Sequence, residues 1–178
     1  TVGTVTEIYD FMRLLFARAA DAYSYHSGKP MIRQTEDQIL EQLFTKFAGK
    51  KLYLLAPVVK GRKGHYRELF EQVRKLGFSK VRVDGVVLEV APKMQLDRYK
   101  IHDIEIVIDR IVADEDDRFR ITQSLKSALQ HGKGVLMVRE ESGEIHYFSK
   151  YLMDPETGLS YEEPAPNSFS FNSPYGAC

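Results

Sequence analysis

The stretch from Lys60 to Arg82 concentrates positive charge, with eight Lys and Arg residues against two Glu residues. Arginine suits the binding of carboxylates and phosphates because its planar guanidinium can donate two parallel hydrogen bonds. Such a stretch, called here the basic strip, is typical of a docking surface for an acidic partner or a phosphate backbone. It is also typical of an ordinary solvated helix face with Lys and Arg on the flanking turns.

Two glycines in the basic strip, at the ends of Gly61-Arg62-Lys63-Gly64, lie between a predicted strand and a predicted helix. Glycine lets the backbone approach a ligand, and a helix N-terminus offers free N–H groups to an anion. A nucleotide-binding loop needs Gly-x-x-x-x-Gly-Lys-Ser/Thr, which is absent here and is not supplied by residues 131–134. Gly-x-x-Gly is also the pattern of the phosphate-clamping loop of KH domains. That loop joins two helices, whereas a strand is predicted before this one, so a KH-type loop is a minor alternative.

No constellation of residues predicts a catalytic or metal site. The four residues 114–117 lack the spacing of a calcium loop and are expected to begin a helix, where negative charge is favourable. The lone Cys178 is terminal, and no Gly-x-Ser-x-Gly elbow occurs. No histidine lies within helical reach of another histidine or of a cysteine; the five are His26, His65, His102, His131 and His146. We therefore predict no enzyme activity and no cofactor for this chain.

The periodicity of apolar residues predicts an α+β domain with a mixed or antiparallel sheet, two hairpins packed against helices, and an irregular C-terminal arm. Helical spacing indicates helices over residues 4–19, 35–48, 65–76 and from 114–117 to 131. Alternating or β-branched runs indicate strands over residues 52–59, 78–83, 86–90, 102–112, 135–139 and 145–148. Asp84-Gly85, which suits a type I′ turn, and Ser142-Gly143 mark the hairpin turns. Thr35 and Gln38 predict a capping box at the start of the second helix.

Bulk composition excludes several classes of protein. Lys plus Arg and Asp plus Glu both number 25, so global charge predicts neither nucleic-acid nor membrane binding. A single cysteine excludes a disulfide scaffold and favours a cytoplasmic protein. We expect no membrane span, since no long apolar run occurs. The first residues show neither a starting Met nor a signal layout, as expected of a segment taken from a longer chain.

Four segments, in order along the chain, resemble the UvrA family; they are Thr1–Arg18, Leu54–Gly64, Val81–Gly85 and Phe169–Cys178. The resemblance implies a piece of a dimeric ABC-class ATPase that binds damaged DNA and loads UvrB in bacterial nucleotide excision repair. Residues 21–148 would be the UvrB-binding domain, residues 1–20 an edge of the first signature domain, and residues 149–178 the return into it, leading to a zinc module. ATP and zinc are implied for the full-length protein only.

The chain departs from the family at expected zinc ligands. Many members carry Cys-x-x-Cys where this chain has Asp154 and Thr157, and often Cys-x-x-His where it has Ser24-Tyr25-His26-Ser27. Both changes remove soft zinc ligands. Cys178 is expected to ligate zinc only within the full-length protein.

The basic strip and the resemblance together predict where UvrB docks. We expect Arg62, Lys63 and Arg67, supported by Arg82, to pair with carboxylates on UvrB, and we include Lys60 and His65 in the same surface. The alternative is a nucleic-acid-binding module that uses residues 60–82 on phosphates.

Overall fold

The computed structural model describes residues 2–5, 7–154, 156–161 and 164–170. These residues form two compact units. One consists of the described residues within Thr1–Ile32 and Tyr151–Cys178, and the other is Arg33–Lys150. Residues 21–32, which the sequence grouped with the sheet domain, belong to the first unit.

Helices occur in both units, and each predicted helix has a counterpart among the described residues. They are α1 (Val2–Val5), α2 (Ile8–Ala19), α3 (Glu36–Lys46), α4 (Arg67–Lys75) and α5 (Arg118–His131). A 3₁₀ turn, Glu115–Asp117, precedes α5, and a second one spans Pro166–Phe169. No helix in the described part of the chain is long and apolar enough to cross a membrane.

The second unit contains a six-stranded sheet in the order β3-β2-β4-β1-β5-β6. Its strands are β1 (Lys51–Lys63), β2 (Lys80–Val83), β3 (Val86–Glu89), β4 (Ile101–Val112), β5 (Val135–Glu140) and β6 (Ile145–Ser149). All neighbouring strands are antiparallel, and both predicted hairpins are confirmed. The predicted α+β class is therefore correct, with an antiparallel rather than a mixed sheet.

The helices of the second unit pack on one face of this sheet. Buried residues of α3 and α5 form one apolar cluster with Leu52 and Leu54 of β1 and with Ile111 of β4. Buried residues of α4 form a second cluster that contains Ala56 of β1. Because alternate residues of a strand share a face, Leu52, Leu54 and Ala56 define one helix-covered face.

Two local predictions were wrong. Gly61-Arg62-Lys63 is the end of β1 rather than a loop, because β4 extends far enough to pair Arg62 with His102 and Lys63 with Ile101. The predicted first helix is described as α1 and α2, between which Glu7 has a φ of 59°.

The first unit is held by α2 and by short bridges. The rings of Phe16 and Phe169 lie 6.0 Å apart, and the Tyr9 hydroxyl donates to the Phe169 carbonyl at 2.6 Å. Met153 forms isolated β-bridges with Ile32 and Ser160. The described part of the predicted C-terminal arm contains these bridges and one 3₁₀ turn but no strand of the sheet.

Candidate functional site

The sheet face opposite the helices carries charged and aromatic side chains. Strand register places them in three cross-strand rows, since residues directly opposite each other share a face. The rows are Val87–Arg82–Glu105–Pro57, Val107–Leu55–Met137–Tyr147 and Arg110–Tyr53–Arg139–Ile145. We call these rows, with Lys60, the open sheet face. The buried residues of α3, α4 and α5 all belong to clusters on the opposite face, so no helix described in this unit covers it.

Two arginines flank Tyr53 on the open sheet face. The guanidinium carbons of Arg110 and Arg139 lie 5.4 Å and 5.8 Å from the centre of its ring. Arg110 also forms an ion pair with Glu141 at 3.1 Å, and both side chains are more than half exposed. Cations stacked on an aromatic face keep free donors for a further ligand. This row therefore presents both guanidiniums around an aromatic ring.

A second aromatic ring on the same face is paired with a lysine. The ammonium of Lys60 lies 5.1 Å from the centre of the Tyr147 ring. Burial raises the pKa of the Tyr147 phenol, and the nearby charge of Glu105 raises it further. The phenol thus stays neutral at physiological pH and can donate a hydrogen bond to a partner. Its neighbours in the row, Leu55 and Met137, are buried.

A buried ion pair joins β2 to β4 on this face. Arg82 donates to Glu105 across 3.1 Å, and only 13% and 7% of their side chains are exposed. Burial raises the pKa of the Glu105 carboxyl, an effect that the charge and hydrogen bond of Arg82 oppose. Arg82 Nε is buried with no partner among the described residues. Arg82 is therefore committed to Glu105 and is not free to bind a partner's carboxylate.

The exposed end of the basic strip is shaped by a bulge. Gly61 has a φ of 64°, in a region where β1 has one residue more than β4 between Val59 and Arg62. A glycine is favoured at such a bulge because it tolerates this backbone conformation. The amide of Gly61 donates to Asp103 Oδ1 at 2.6 Å, which fixes the path of the chain into Arg62.

The other predicted residues have different surroundings. Arg62, Lys63 and His65 are exposed, and none has an ion pair within the described residues. Tyr66, between His65 and α4, donates its hydroxyl to the Arg62 carbonyl at 2.9 Å. Arg67 is on α4, where its side chain lies 3.6 Å from Glu71 in an i,i+4 ion pair. Because α4 packs on the helix-covered face, Arg67 is separated from the open sheet face.

Only one group of three potential metal ligands was found in the described residues, formed by Glu140, Glu144 and His146. The ammonium of Lys50 lies 2.9 Å from Glu140, and that of Lys46 lies 3.4 Å from Nδ1 of His146. Hydrogen bonds from Lys50 and His146 hold the pKa of Glu140 below its usual range. Two lysines already supply the positive charge here, so the geometry is that of an ion-pair network.

Comparisons with known proteins identify the family. The family model described as the UvrA interaction domain matches residues 34–142. UvrABC system protein A of Thermus thermophilus is 48% identical over 181 residues, which cover 100% of this chain and 19% of that protein. The proteins of the same name in Deinococcus radiodurans and Bacillus subtilis are 44% and 43% identical over 100% of this chain, covering 18% and 19% of their own lengths. The chain belongs to the UvrA family.

Residues 34–142, which match the UvrA interaction domain, contain the whole basic strip and most of the open sheet face. Of the predicted residues, the structure places Lys60 and Arg82 on the open sheet face and leaves Arg62, Lys63, His65 and Arg67 outside its rows. Cys178, the predicted zinc ligand of a longer protein, lies outside the described residues. The chain spans about a fifth of the length of these UvrA relatives.

Sequence reasoning missed the centre of the open sheet face. Tyr53, Arg110, Arg139 and Tyr147 are far apart in the chain and meet only through strand pairing. A partial signal was present, since Tyr53 lies between Leu52 and Leu54 and Glu105 lies between Ile104 and Ile106. That alternation indicates a strand with one face that is not part of a core.

Proposed function

We propose that this UvrA interaction domain docks UvrB and that the open sheet face is the docking surface. The observation that carries the proposal is the sheet face itself, which no helix described in the unit covers and on which Arg110, Arg139 and Lys60 are arranged around two tyrosines. The name of the matching family model supports a protein partner. The name of the relatives, UvrABC system protein A, supports a partner from the same repair system.

The residue types on this face suit a protein interface. Tyrosine and arginine are enriched among the residues that contribute most to binding, because they bury large areas and keep polar groups for hydrogen bonds. Arg110 and Arg139 can each bind a carboxylate through two hydrogen bonds. We therefore expect the contacting surface of UvrB to be acidic and the affinity to fall as salt rises.

The exposed end of the basic strip is a second part of the proposed surface. Arg62, Lys63 and His65 are exposed, and they follow closely in sequence on Lys60, which contacts the Tyr147 ring. Arg67 is the weakest member of the predicted set because α4 packs on the helix-covered face, away from Arg110 and Arg139. Arg82 acts by ordering Glu105 and β2, so we assign it a positioning role.

A nucleic-acid-binding function is the alternative. It is favoured by the exposed side chains of Arg62 and Lys63, which form no ion pair with any residue that the structure describes. A phosphate-binding surface would bind unrelated duplexes comparably and lose affinity steeply with salt. The wider functions of UvrA proteins, namely ATP hydrolysis, zinc binding, homodimerisation and action on damaged DNA in a cytoplasmic excinuclease, are likewise proposals for the longer protein.

Calorimetric titration of the 178-residue chain into purified UvrB tests the proposal. We expect one-to-one binding that Arg110→Ala and Arg139→Ala each weaken by more than about fivefold, which corresponds to about 1 kcal/mol. Arg67→Ala is the matched control, since it removes an exposed arginine from the helix-covered side.

Two results would contradict the proposal. If Arg62→Ala and Lys63→Ala abolish binding while the Arg110 and Arg139 variants bind normally, docking uses the end of the strip. If UvrB does not bind but an undamaged duplex does, with steep salt dependence, the surface binds phosphate.

A further inference from the structure

Two short turns of the first unit are joined through the side chains of Ser24 and Asp154. Both residues are buried, with 2% and 0% of their surface exposed. The Ser24 hydroxyl donates to Asp154 Oδ2 at 2.6 Å. They lie 130 residues apart in sequence, so this hydrogen bond connects distant parts of the chain.

The first turn is organised around the Ser24 side chain. Its Oγ accepts hydrogen bonds from the backbone amides of His26 and Ser27 at 3.2 Å and 3.3 Å. The amide of Gly28 donates to the Ser24 carbonyl at 2.9 Å, and the amide of Ser24 donates to the Lys29 carbonyl at 2.8 Å. The hydroxyl therefore has its proton directed at Asp154 and its lone pairs directed at two amides.

The second turn repeats this pattern around Asp154. Its Oδ1 accepts from the amides of Glu156 and Thr157 at 2.9 Å and 3.4 Å. The amide of Gly158 donates to the Asp154 carbonyl at 2.9 Å, and the amide of Asp154 donates to the Leu159 carbonyl at 2.9 Å. In both turns a side chain at one position accepts from the amides two and three residues later.

The residues at these two turns do not fit zinc, which the family resemblance places there. Structural zinc prefers several thiolate or imidazole ligands. The four aligned positions, Ser24, Ser27, Asp154 and Thr157, offer three hydroxyls and one carboxylate, and the imidazole of the neighbouring His26 is exposed. Both oxygens of Asp154 already accept hydrogen bonds from protein donors, so a cation would have to displace the donors that order the turns.

We infer that Ser24 and Asp154 form a metal-free clasp, in which a buried hydroxyl–carboxylate hydrogen bond joins the two turns without zinc. The carboxylate stays charged, since the hydrogen bond from Ser24 and the amides of Glu156 and Thr157 hold the pKa of Asp154 well below its usual range. A salt bridge between Lys29 and Glu156 joins the same two turns at their surface.

Amide exchange measured by NMR on the 178-residue chain, with metal content measured on the same sample, tests the clasp. After dialysis against a chelator we expect far less than one zinc per chain and unchanged exchange at the amides of both turns. Ser24→Ala should accelerate exchange at His26 and Ser27 by about tenfold or more, because hydrogen bonds to these amides are lost. Glu156→Gln, which removes only the exposed salt bridge, is the control and should change exchange less than about twofold.

Because the clasp joins the two turns, removal of the Ser24 hydroxyl is also expected to speed amide exchange in the turn around Asp154. In Ser24→Ala, the amides of Glu156 and Thr157 should exchange faster as well, while those of β5 in the second unit should not. One tightly held zinc per chain, with faster exchange after chelation, would overturn the inference. So would a chelator-treated Ser24→Ala chain whose turns exchange as in the wild type. Asp154→Asn, if it folds, should accelerate exchange at the same amides as Ser24→Ala.

Discussion

The two faces of the six-stranded sheet differ in almost every respect. The helix-covered face carries two apolar clusters, and Leu54, Ile111 and Leu125 of the first are fully buried. The open sheet face carries an ion pair, two tyrosines and the cations around them. Successive residues of a strand point to opposite faces of the sheet. Alternate residues of β1 and β4 therefore stabilise the fold on one face and are available for binding on the other. Substitutions on the two faces should therefore change different quantities.

The largest effect is expected on the helix-covered face. Leu54→Ala removes a fully buried side chain and should lower the free energy of unfolding by about 3 kcal/mol, from the lost burial and the cavity left behind. Urea unfolding measures this loss. The fraction that remains folded should bind UvrB with wild-type affinity, since the open sheet face is unchanged. A loss below about 1 kcal/mol would mean that this face is not the stabilising core.

A smaller loss of stability is expected from breaking the Arg82–Glu105 ion pair, the one buried ion pair described on the open sheet face. Arg82→Leu leaves the Glu105 carboxylate buried without its partner and should cost about 2 kcal/mol in the same unfolding assay. The double variant Arg82→Leu/Glu105→Leu should recover most of that loss, because both charges are then absent. If the double variant is no more stable than the single one, the pair stabilises the sheet directly.

Sequence reasoning predicted the elements that local rules determine. The turn at Asp84-Gly85 has φ values of 49° and 91°, as the predicted type I′ hairpin requires. Thr35 and Gln38 form the predicted capping box at the start of α3. Both depend on residues that are neighbours in the chain, so one sequence was sufficient to predict them.

The candidate site was predicted only in part, because strand pairing determines it. Local charge density identified Lys60 and Arg82, which the structure places on the open sheet face. It also selected Arg67, whose helix packs on the other side. Arg110 and Arg139 meet at Tyr53 only because β4 and β5 both flank β1. The order of strands is not encoded in any single segment, so this cluster could not be derived from spacing.

The smallest change in stability is expected from the titration of His102, which lies outside the open sheet face. His102 Nδ1 lies 2.7 Å from Asp84 and Nε2 lies 2.9 Å from the Asp97 carbonyl. The hydrogen bond to Asp84, then that to Asp97, raises the pKa of His102 above 6.5. Its stabilising contribution is thus fully present below pH 6.5 and is lost as pH rises through the raised value.

Urea midpoints between pH 6 and pH 9 measure this contribution. The wild-type midpoint should fall over that range more than the midpoint of His102→Asn, because only the wild type loses a charged hydrogen bond. The control is His65→Asn, which removes an exposed histidine and should keep the wild-type pH dependence. Equal slopes for the wild type and His102→Asn would show that the pair with Asp84 does not stabilise the fold in this range.

The most direct test of the open sheet face uses the tyrosine rings as reporters. Ring-selective carbon-13 labelling of the 178-residue chain allows Tyr53, Tyr147 and Tyr66 to be followed by NMR as UvrB is added. Tyr53 and Tyr147 lie on the open sheet face, while Tyr66 packs against the helix-covered cluster of α4. We expect shifts or selective loss of intensity for Tyr53 and Tyr147 at substoichiometric UvrB, and a smaller response at Tyr66. A response at Tyr66 without any at Tyr53 and Tyr147 would contradict this expectation and place docking beside the end of the basic strip.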